Sequence, residues 1–139
     1  MRRGIVAALL SVCLALGGVA WLSAGPTAEE KVKEATAKAA RDYLQHGLIL
    51  AGEGQDAAAA ESFRKAISLS PQWAEAHSLL GSALARAGNY REAEEELRKA
   101  VQLQPDYAEG YYALGLFLKE RGREQEAQES FSKARQYQR

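Results

Sequence analysis

From about Ala40 to Arg139 the chain repeats the same residue types every 34 positions. The glycines that keep this interval are Gly47, Gly81 and Gly115 in one series and Gly54, Gly88 and Gly122 in another. Alanines, bulky apolar residues and aromatic residues recur at the same interval. A period of this length is typical of stacked helical hairpins, each of which buries its apolar face on the next. The sequence therefore predicts an all-α scaffold of three hairpins.

Each recurring residue type has a physical reason within such a hairpin. Gly47 and its equivalents are expected where two helices approach closely, because a larger side chain would push them apart. Gly54 and its equivalents lie in turns, where a left-handed backbone ends a helix at little cost. Pro71 and Pro105 end the second helix of a hairpin, because the residue before proline disfavours helical geometry.

The second repeat carries the clearest pattern, Leu80-Gly81, Leu84, Gly88, Tyr90, Ala93, Leu97, Ala100 and Pro105. This pattern resembles the signature of the tetratricopeptide repeat (TPR) family. The resemblance implies a right-handed α-solenoid of three TPR hairpins, at about residues 40–73, 74–107 and 108–139. It also implies a protein that binds other proteins or peptides. His46 and His77 depart from the residue types usual at their positions.

The first 25 residues predict a membrane-targeting segment. Arg2 and Arg3 precede an apolar stretch from Ile5 to Leu22 that contains no charge, and small residues follow it. As a helix of about 1.5 Å per residue, this stretch would reach roughly 27 Å, enough to cross a bilayer as a retained anchor. A cleaved secretory signal is the alternative, because Gly17-Gly18 interrupts the apolar helix. In either case the arginines are expected to stay cytoplasmic and the repeats to lie across the membrane.

Residues 26–39 predict a stem helix between this segment and a TPR domain over residues 40–139. Thr27 and Glu30 fit a capping box, in which each side chain accepts a hydrogen bond from the other residue's backbone amide. The alanines and lysines that follow favour helix. No helix breaker precedes Gly47, so the stem is expected to continue into the first repeat helix.

Charge and residue types exclude several functions. The chain has 18 basic and 18 acidic residues, and without Arg2 and Arg3 the remainder has 16 basic against 18 acidic. This balance argues against binding nucleic acid by bulk electrostatics. The single cysteine, Cys13, lies in the apolar segment, so the repeats contain no disulfide and no Cys-based metal site.

No catalytic, cofactor-binding or metal site is expected in the repeats. His46 and His77 lack the partner at helical spacing that a metal motif needs, so we expect both to pack at helix interfaces. The acidic run from Glu92 to Glu96, followed by Arg98, predicts a solvated helix face with local ion pairing. No nucleophile lies near a base and no glycine loop fits a phosphate, so we expect no enzyme activity.

In similar TPR proteins a concave groove, lined by the first helix of each hairpin, binds the ligand. By that resemblance the groove residues are Arg41, Leu44, Leu48, Glu75, Ser78, Ser82, Glu109, Tyr112, Leu116 and Lys119. The leucines and Tyr112 suit an apolar helix or extended peptide, and the charges suit a defined register. Leu44 and Leu48 stand where chaperone-binding TPR domains carry lysine and asparagine, which argues against binding of heat-shock chaperone tails.

The carboxyl-terminal hairpin predicts a second surface, because this sequence contains no extra polar helix after it. Phe117, Phe131 and Tyr137 are the expected contributors. Two functions follow. The first is a non-catalytic adaptor at the bacterial envelope, anchored in the inner membrane or secreted, that binds an assembly partner. The alternative is a homo-oligomerisation element that pairs through this terminal hairpin.

Overall fold

A computed structural model describes residues 25–138, and within them every regular element is an α-helix. The chain forms two compact units, one ending at Ala35 and the other beginning at Thr36. The six helices are α1 (Ala28–Gly52), α2 (Asp56–Leu69), α3 (Ala74–Arg86), α4 (Tyr90–Leu103), α5 (Ala108–Glu120) and α6 (Glu124–Tyr137). No strand occurs in this range, which confirms the predicted all-α class.

The predicted capping box forms at the start of α1. The backbone N–H of Thr27 donates to Glu30 Oε2 at 2.7 Å, and the N–H of Glu30 donates to Thr27 Oγ1 at 3.2 Å. Two amides that the first helical turn leaves without partners are thereby satisfied. The helix then continues through Gly47 to Gly52, as the lack of a breaker predicted.

The predicted signal or anchor segment lies almost wholly outside the described residues, which begin at Gly25. Between residues 25 and 138, no helix combines the length and the apolar character that crossing a bilayer requires.

Glycine lets the two helices of each hairpin approach closely. A Cβ atom on Gly81 would lie 2.6 Å from Leu97 Cγ and 2.9 Å from the carbonyl oxygen of Ala93. Gly47 and Gly115 meet the rings of Phe63 and Phe131 in the same way, at 2.5 and 2.7 Å. Since a real Cβ does not approach other atoms so closely, any side chain at these positions must force the helices apart. The predicted contact role of this glycine series is therefore confirmed.

The three turns within the hairpins share one backbone geometry. Gly88 has a φ of 89°, and Gly54 and Gly122 have φ values of 76° and 75°. The N–H of Gly88 donates to the Ala85 carbonyl at 3.1 Å, and the N–H of Asn89 donates to the Leu84 carbonyl at 2.8 Å. These two bonds are the Schellman motif, which satisfies the last carbonyls of the first helix. Asn89 begins α4 without a side-chain cap bond.

His77 connects the second hairpin to the loop that precedes α3. Its side chain is buried, its Nε2 donates to the Pro71 carbonyl at 2.8 Å, and its Nδ1 lies 2.6 Å from Glu96 Oε2. His46 contacts Ser62 Oγ of the facing helix at 3.0 Å. His77 is therefore packed at a helix interface, as expected, whereas His46 is exposed and contacts the facing helix through this one hydrogen bond.

Ion pairs between neighbouring hairpins follow the same 34-residue period. Arg64 Nη2 lies 2.6 Å from Glu92 Oε1, and Arg98 Nη2 lies 3.1 Å from Glu126 Oε2. Glu94 Oε2 also lies 2.7 Å from Arg123 Nη1. The acidic run of α4 therefore departs from the expected solvated face. Its Glu94–Arg98 pair is local, whereas Glu92 binds Arg64 of the preceding hairpin and Glu96 binds His77 of the first helix in its own hairpin.

These contacts shift the ionisation of the acidic groups. Burial raises the pKa of Glu94, but hydrogen bonds from Arg123 and Arg98 outweigh it and lower the pKa below its ordinary 4.5. Hydrogen bonds from Arg123 likewise lower the pKa of Glu126. The same bonds raise the pKa of Arg123. These contacts therefore favour the ionised states of Glu94, Glu126 and Arg123.

Replacing Gly81 by leucine should destabilise the fold by about 1–3 kcal/mol or more, because the added side chain overpacks the contact with Leu97. Urea unfolding followed by circular dichroism measures the change. Gly52→Leu is the matched control, since a Cβ there has no neighbour within 4 Å. Equal stability of the two variants would show that the glycine contact does not hold the hairpin together.

Acid should weaken the ion-pair network. Because the pKa of Glu94 is lowered in the folded state, the unfolded chain binds more protons as pH falls below about 4.5, and stability decreases in that range. We expect Glu94→Gln to lower the melting temperature at neutral pH and to lose less on further acidification. Glu95→Gln, at an exposed neighbour, should follow the wild type. Identical acid profiles for all three proteins would contradict this account.

Candidate functional site

Helices α1, α3 and α5 are the first helices of the three hairpins, and they carry the predicted groove residues. The exposed face that they share is the first-helix surface. The exposed apolar side chains among the predicted groove residues are Leu48, Tyr112 and Leu116, whose exposed fractions are 37%, 51% and 42%. The charged residues predicted here are also exposed, namely Arg41, Glu75, Glu109 and Lys119. Ser82 is half-buried. The assignment of these eight residues to a binding groove stays a prediction.

Two of the predicted groove residues are buried instead. Leu44 is 8% exposed and belongs to the core, and Ser78 is 5% exposed. Both occupy the repeat position of Tyr112, which is half exposed. The difference arises because a further hairpin packs beyond Leu44 and beyond Ser78, whereas no later helix of residues 25–138 covers Tyr112. These two side chains therefore form packing between hairpins and offer no area to a ligand.

A cleft of about 220 Å³ opens between α3 and α5 on the first-helix surface. Two small residues and an arginine line its α3 side, and apolar residues and a glutamate line its α5 side. The lining consists of Ser82, Ala85 and Arg86 of α3, Leu97 of α4, and Tyr112, Ala113, Leu116, Phe117 and Glu120 of α5. The small side chains of α3 leave the space that a ligand side chain would fill against Tyr112 and Leu116. A concave site with apolar walls and a few polar groups is the usual form of a binding site.

Two aromatic residues at the edge of this surface were missed from the sequence. Trp73 and Tyr107 immediately precede α3 and α5, and each is half-buried. Tyr107 packs so closely on Gly110 that a Cβ there would lie 2.5 Å from its ring. Burial, together with the nearby charges of Glu75 and Glu109, raises the pKa of Tyr107 to about 12. Trp73 and Tyr107 are 34 residues apart, and this repeat spacing could have identified them from the sequence.

Trp73 lines a second opening, of about 340 Å³, near the start of the first-helix surface. Ala37, Ala40 and Arg41 of α1 form the opposite side. The predicted groove residue Arg41 is thereby placed beside an aromatic ring. This arrangement extends the apolar part of the surface beyond the residues that the sequence indicated.

The predicted carboxyl-terminal surface is smaller than expected. Phe117 is 4% exposed and belongs to the core, because it faces α3 and α4 from within the last hairpin. Tyr137, 38% exposed, stacks on Tyr111 with their ring centroids 5.8 Å apart. Phe131 is half-buried and packs at 5.7 Å against Tyr112. The chain's own rings therefore cover much of this flank.

An opening remains on the flank beside Tyr112. It has a volume of about 290 Å³, and Phe131, Ala134, Arg135 and Gln138 complete its lining. Tyr112 thus separates this opening from the cleft between α3 and α5.

Within residues 25–138, no three side chains of the metal-ligating types histidine, cysteine, aspartate and glutamate come together in a group suited to a metal ion. Cys13 lies outside this range.

Comparisons with known proteins place this geometry in a family. A family model described as "TPR repeat" matches residues 47–88 and 81–122, and one described as "Tetratricopeptide repeat" matches residues 108–138. No curated protein sequence matches the chain.

Solved structures resemble the chain over about the same region. Pseudomonas aeruginosa pilF is 30% identical over 72% of this chain and 45% of its own, with a TM-score of 0.68. MamA is 25% identical over 73% of this chain and 60% of its own, with a TM-score of 0.65. The chain therefore spans less than two thirds of either protein.

A third solved structure, the first TPR of Spaghetti (RPAP3) bound to an HSP90 peptide, is 19% identical over 73% of this chain and 80% of its own, with a TM-score of 0.68. At this identity the likeness concerns the fold alone. Since the family models together span residues 47–138, this chain belongs to the tetratricopeptide repeat family.

Proposed function

We propose that this chain is a non-catalytic scaffold whose first-helix surface binds a peptide or helix of a partner protein. The observation that carries the proposal is the exposure of Tyr112 and Leu116 beside the cleft between α3 and α5. A large aromatic ring next to an apolar cleft is a common anchor in protein interfaces. Small side chains on α3 leave the opposite side of the cleft open to a ligand.

Structural neighbours support a protein ligand of this kind. They include the Spaghetti (RPAP3) domain with its HSP90 peptide and a complex of the yeast Sti1 TPR2B domain with pHsp70. The ligand itself is expected to differ here. Leu48, 37% exposed, stands where the chaperone-binding domains are expected to carry asparagine, and Leu44 is buried. An apolar partner segment therefore fits better than a chaperone tail.

The location that we propose is the bacterial envelope, with the repeats facing the periplasm or the exterior. This part of the proposal rests on the sequence of residues 1–25, in which two arginines precede an apolar stretch. A partner in an envelope assembly is consistent with that location.

Self-association through the carboxyl-terminal flank is a second candidate function. The opening beside Tyr112 and the exposed ring of Tyr137 favour it. Burying such a ring is worth roughly 1.5–3 kcal/mol, so a few contacts would hold a pair together. Sedimentation of the full chain over a range of concentrations separates the two functions, because a receptor with an open groove should keep the mass of a monomer.

Introducing charged residues in place of apolar ones on the first-helix surface should abolish partner binding without unfolding the protein. We expect the variant Leu48→Asp/Tyr112→Asp to lose the proteins that the wild type retains in a pull-down from native membranes, because burying these carboxylates is unfavourable. Tyr90→Asp is the control, since Tyr90 is 46% exposed but lies on α4. Circular dichroism checks the fold. Retention of the same proteins by the double variant would move the binding site elsewhere.

A further inference from the structure

Charges on the first-helix surface follow the same order along α3 and α5. Each helix has a glutamate in its first turn, Glu75 in α3 and Glu109 in α5, and a cation in its last turn, Arg86 or Lys119. Residues three and four positions apart share one face of a helix, so on α5 the stripe reads Glu109, Tyr112, Leu116 and Lys119. Along this stripe an acidic first turn is followed by apolar residues, and the last turn carries both Lys119 and Glu120.

The two helices place this order in register. Helix α4 returns the chain between α3 and α5, so these helices run in the same direction, and they contact each other directly. Glu75 and Glu109 therefore lie at one edge of the surface, and Arg86 and Lys119 lie at the opposite edge. The cleft beside Tyr112 and Leu116 extends from the middle of the surface to the second edge, where Arg86 and Glu120 line it.

The two glutamates differ from the acidic residues that begin the second helices. Asp56 of α2 binds Arg86 at 2.6 Å, and Glu92 of α4 binds Arg64. Glu75 and Glu109 are exposed and take part in none of the ion pairs within residues 25–138. A carboxylate in a first turn also favours the helix dipole, but that role is common to both kinds of helix. Exposed carboxylates outside these ion pairs also occur on the second helices, at Glu95 and Glu129, but Glu75 and Glu109 lie on the first-helix surface.

Half-buried Tyr107 lies near both carboxylates. Burial raises its pKa, and the charges of Glu75 and of Glu109 add to the effect. The acidic edge is thus a continuous feature of the second and third hairpins, with an aromatic ring in it. Such a ring favours a cation over its face, particularly beside carboxylates.

We infer that the partner segment is an extended peptide that carries lysine or arginine at one end and apolar side chains next to it. The basic side chains lie against Glu75 and Glu109, and the apolar ones fill the cleft against Tyr112 and Leu116. Glu109 and Leu116 are seven residues apart, about 10 Å along the helix. An extended peptide covers this distance in about three residues. The inference rests on the proposed function and adds the chemistry and direction of the ligand.

The test is selection of short random peptides, displayed on phage, against the full chain in non-ionic detergent. We expect the enriched peptides to carry lysine or arginine beside apolar residues. A selected peptide should bind Glu75→Gln/Glu109→Gln roughly two- to thirtyfold more weakly than the wild type, and the difference should shrink in high salt. Two exposed ion pairs account for a loss of this size.

The matched control is Glu95→Gln/Glu129→Gln, which removes two exposed carboxylates, also 34 residues apart, from α4 and α6. Binding to this variant should equal binding to the wild type. Circular dichroism of each variant checks that the helices persist.

A third variant, Tyr112→Ala/Leu116→Ala, distinguishes the two proposals. If selected peptides require these side chains but show no basic bias, or bind Glu75→Gln/Glu109→Gln as well as the wild type, the charge order is refuted and the groove remains. If no peptide distinguishes Tyr112→Ala/Leu116→Ala from the wild type, the proposed function fails and the inference fails with it.

Discussion

The contact between a glycine on one helix and a bulky side chain on the next is the constraint on which this structure depends. Gly81 rests against Leu97, and the other two hairpins use Phe63 and Phe131 against glycine. The contact fixes how closely the paired helices approach, and therefore where the next hairpin packs. The repeats contain no cysteine, so no disulfide within them sets the spacing of the helices.

What the sequence could predict is what depends on short spacings. The turns at Gly54, Gly88 and Gly122 and the glycine contacts repeat every 34 residues, and each needs only its own hairpin to form. The burial of Leu44, by contrast, depends on the hairpin that follows it. A repeat pattern assigns the same role to Leu44 and Tyr112, although a neighbour covers only one of them. The repeat pattern therefore predicts the burial of a residue only where its hairpin has the same neighbours as the other hairpins.

The ion pairs between hairpins also could not be predicted from local sequence spacing. Arg64 and Glu92 are 28 residues apart, and no local helix rule brings them together. The two side chains meet only when one hairpin packs on the next, and the same pair occurs one period later as Arg98 and Glu126. With the fold known, the 34-residue repeat would have identified Arg98 and Glu126 as the equivalent of Arg64 and Glu92. The acidic run alone indicated only a solvated face.

The two kinds of helix therefore use their charges differently, and this difference indicates where a ligand binds. Acidic groups of the second helices, such as Glu92 and Glu94, are held by arginines of the same fold. A partner at that face would have to compete with those arginines for the carboxylates. Glu75 and Glu109 on the first helices have no such competitor, and the exposed Tyr112 lies beside them. The binding that we propose at the first-helix surface would therefore leave the contacts between hairpins intact.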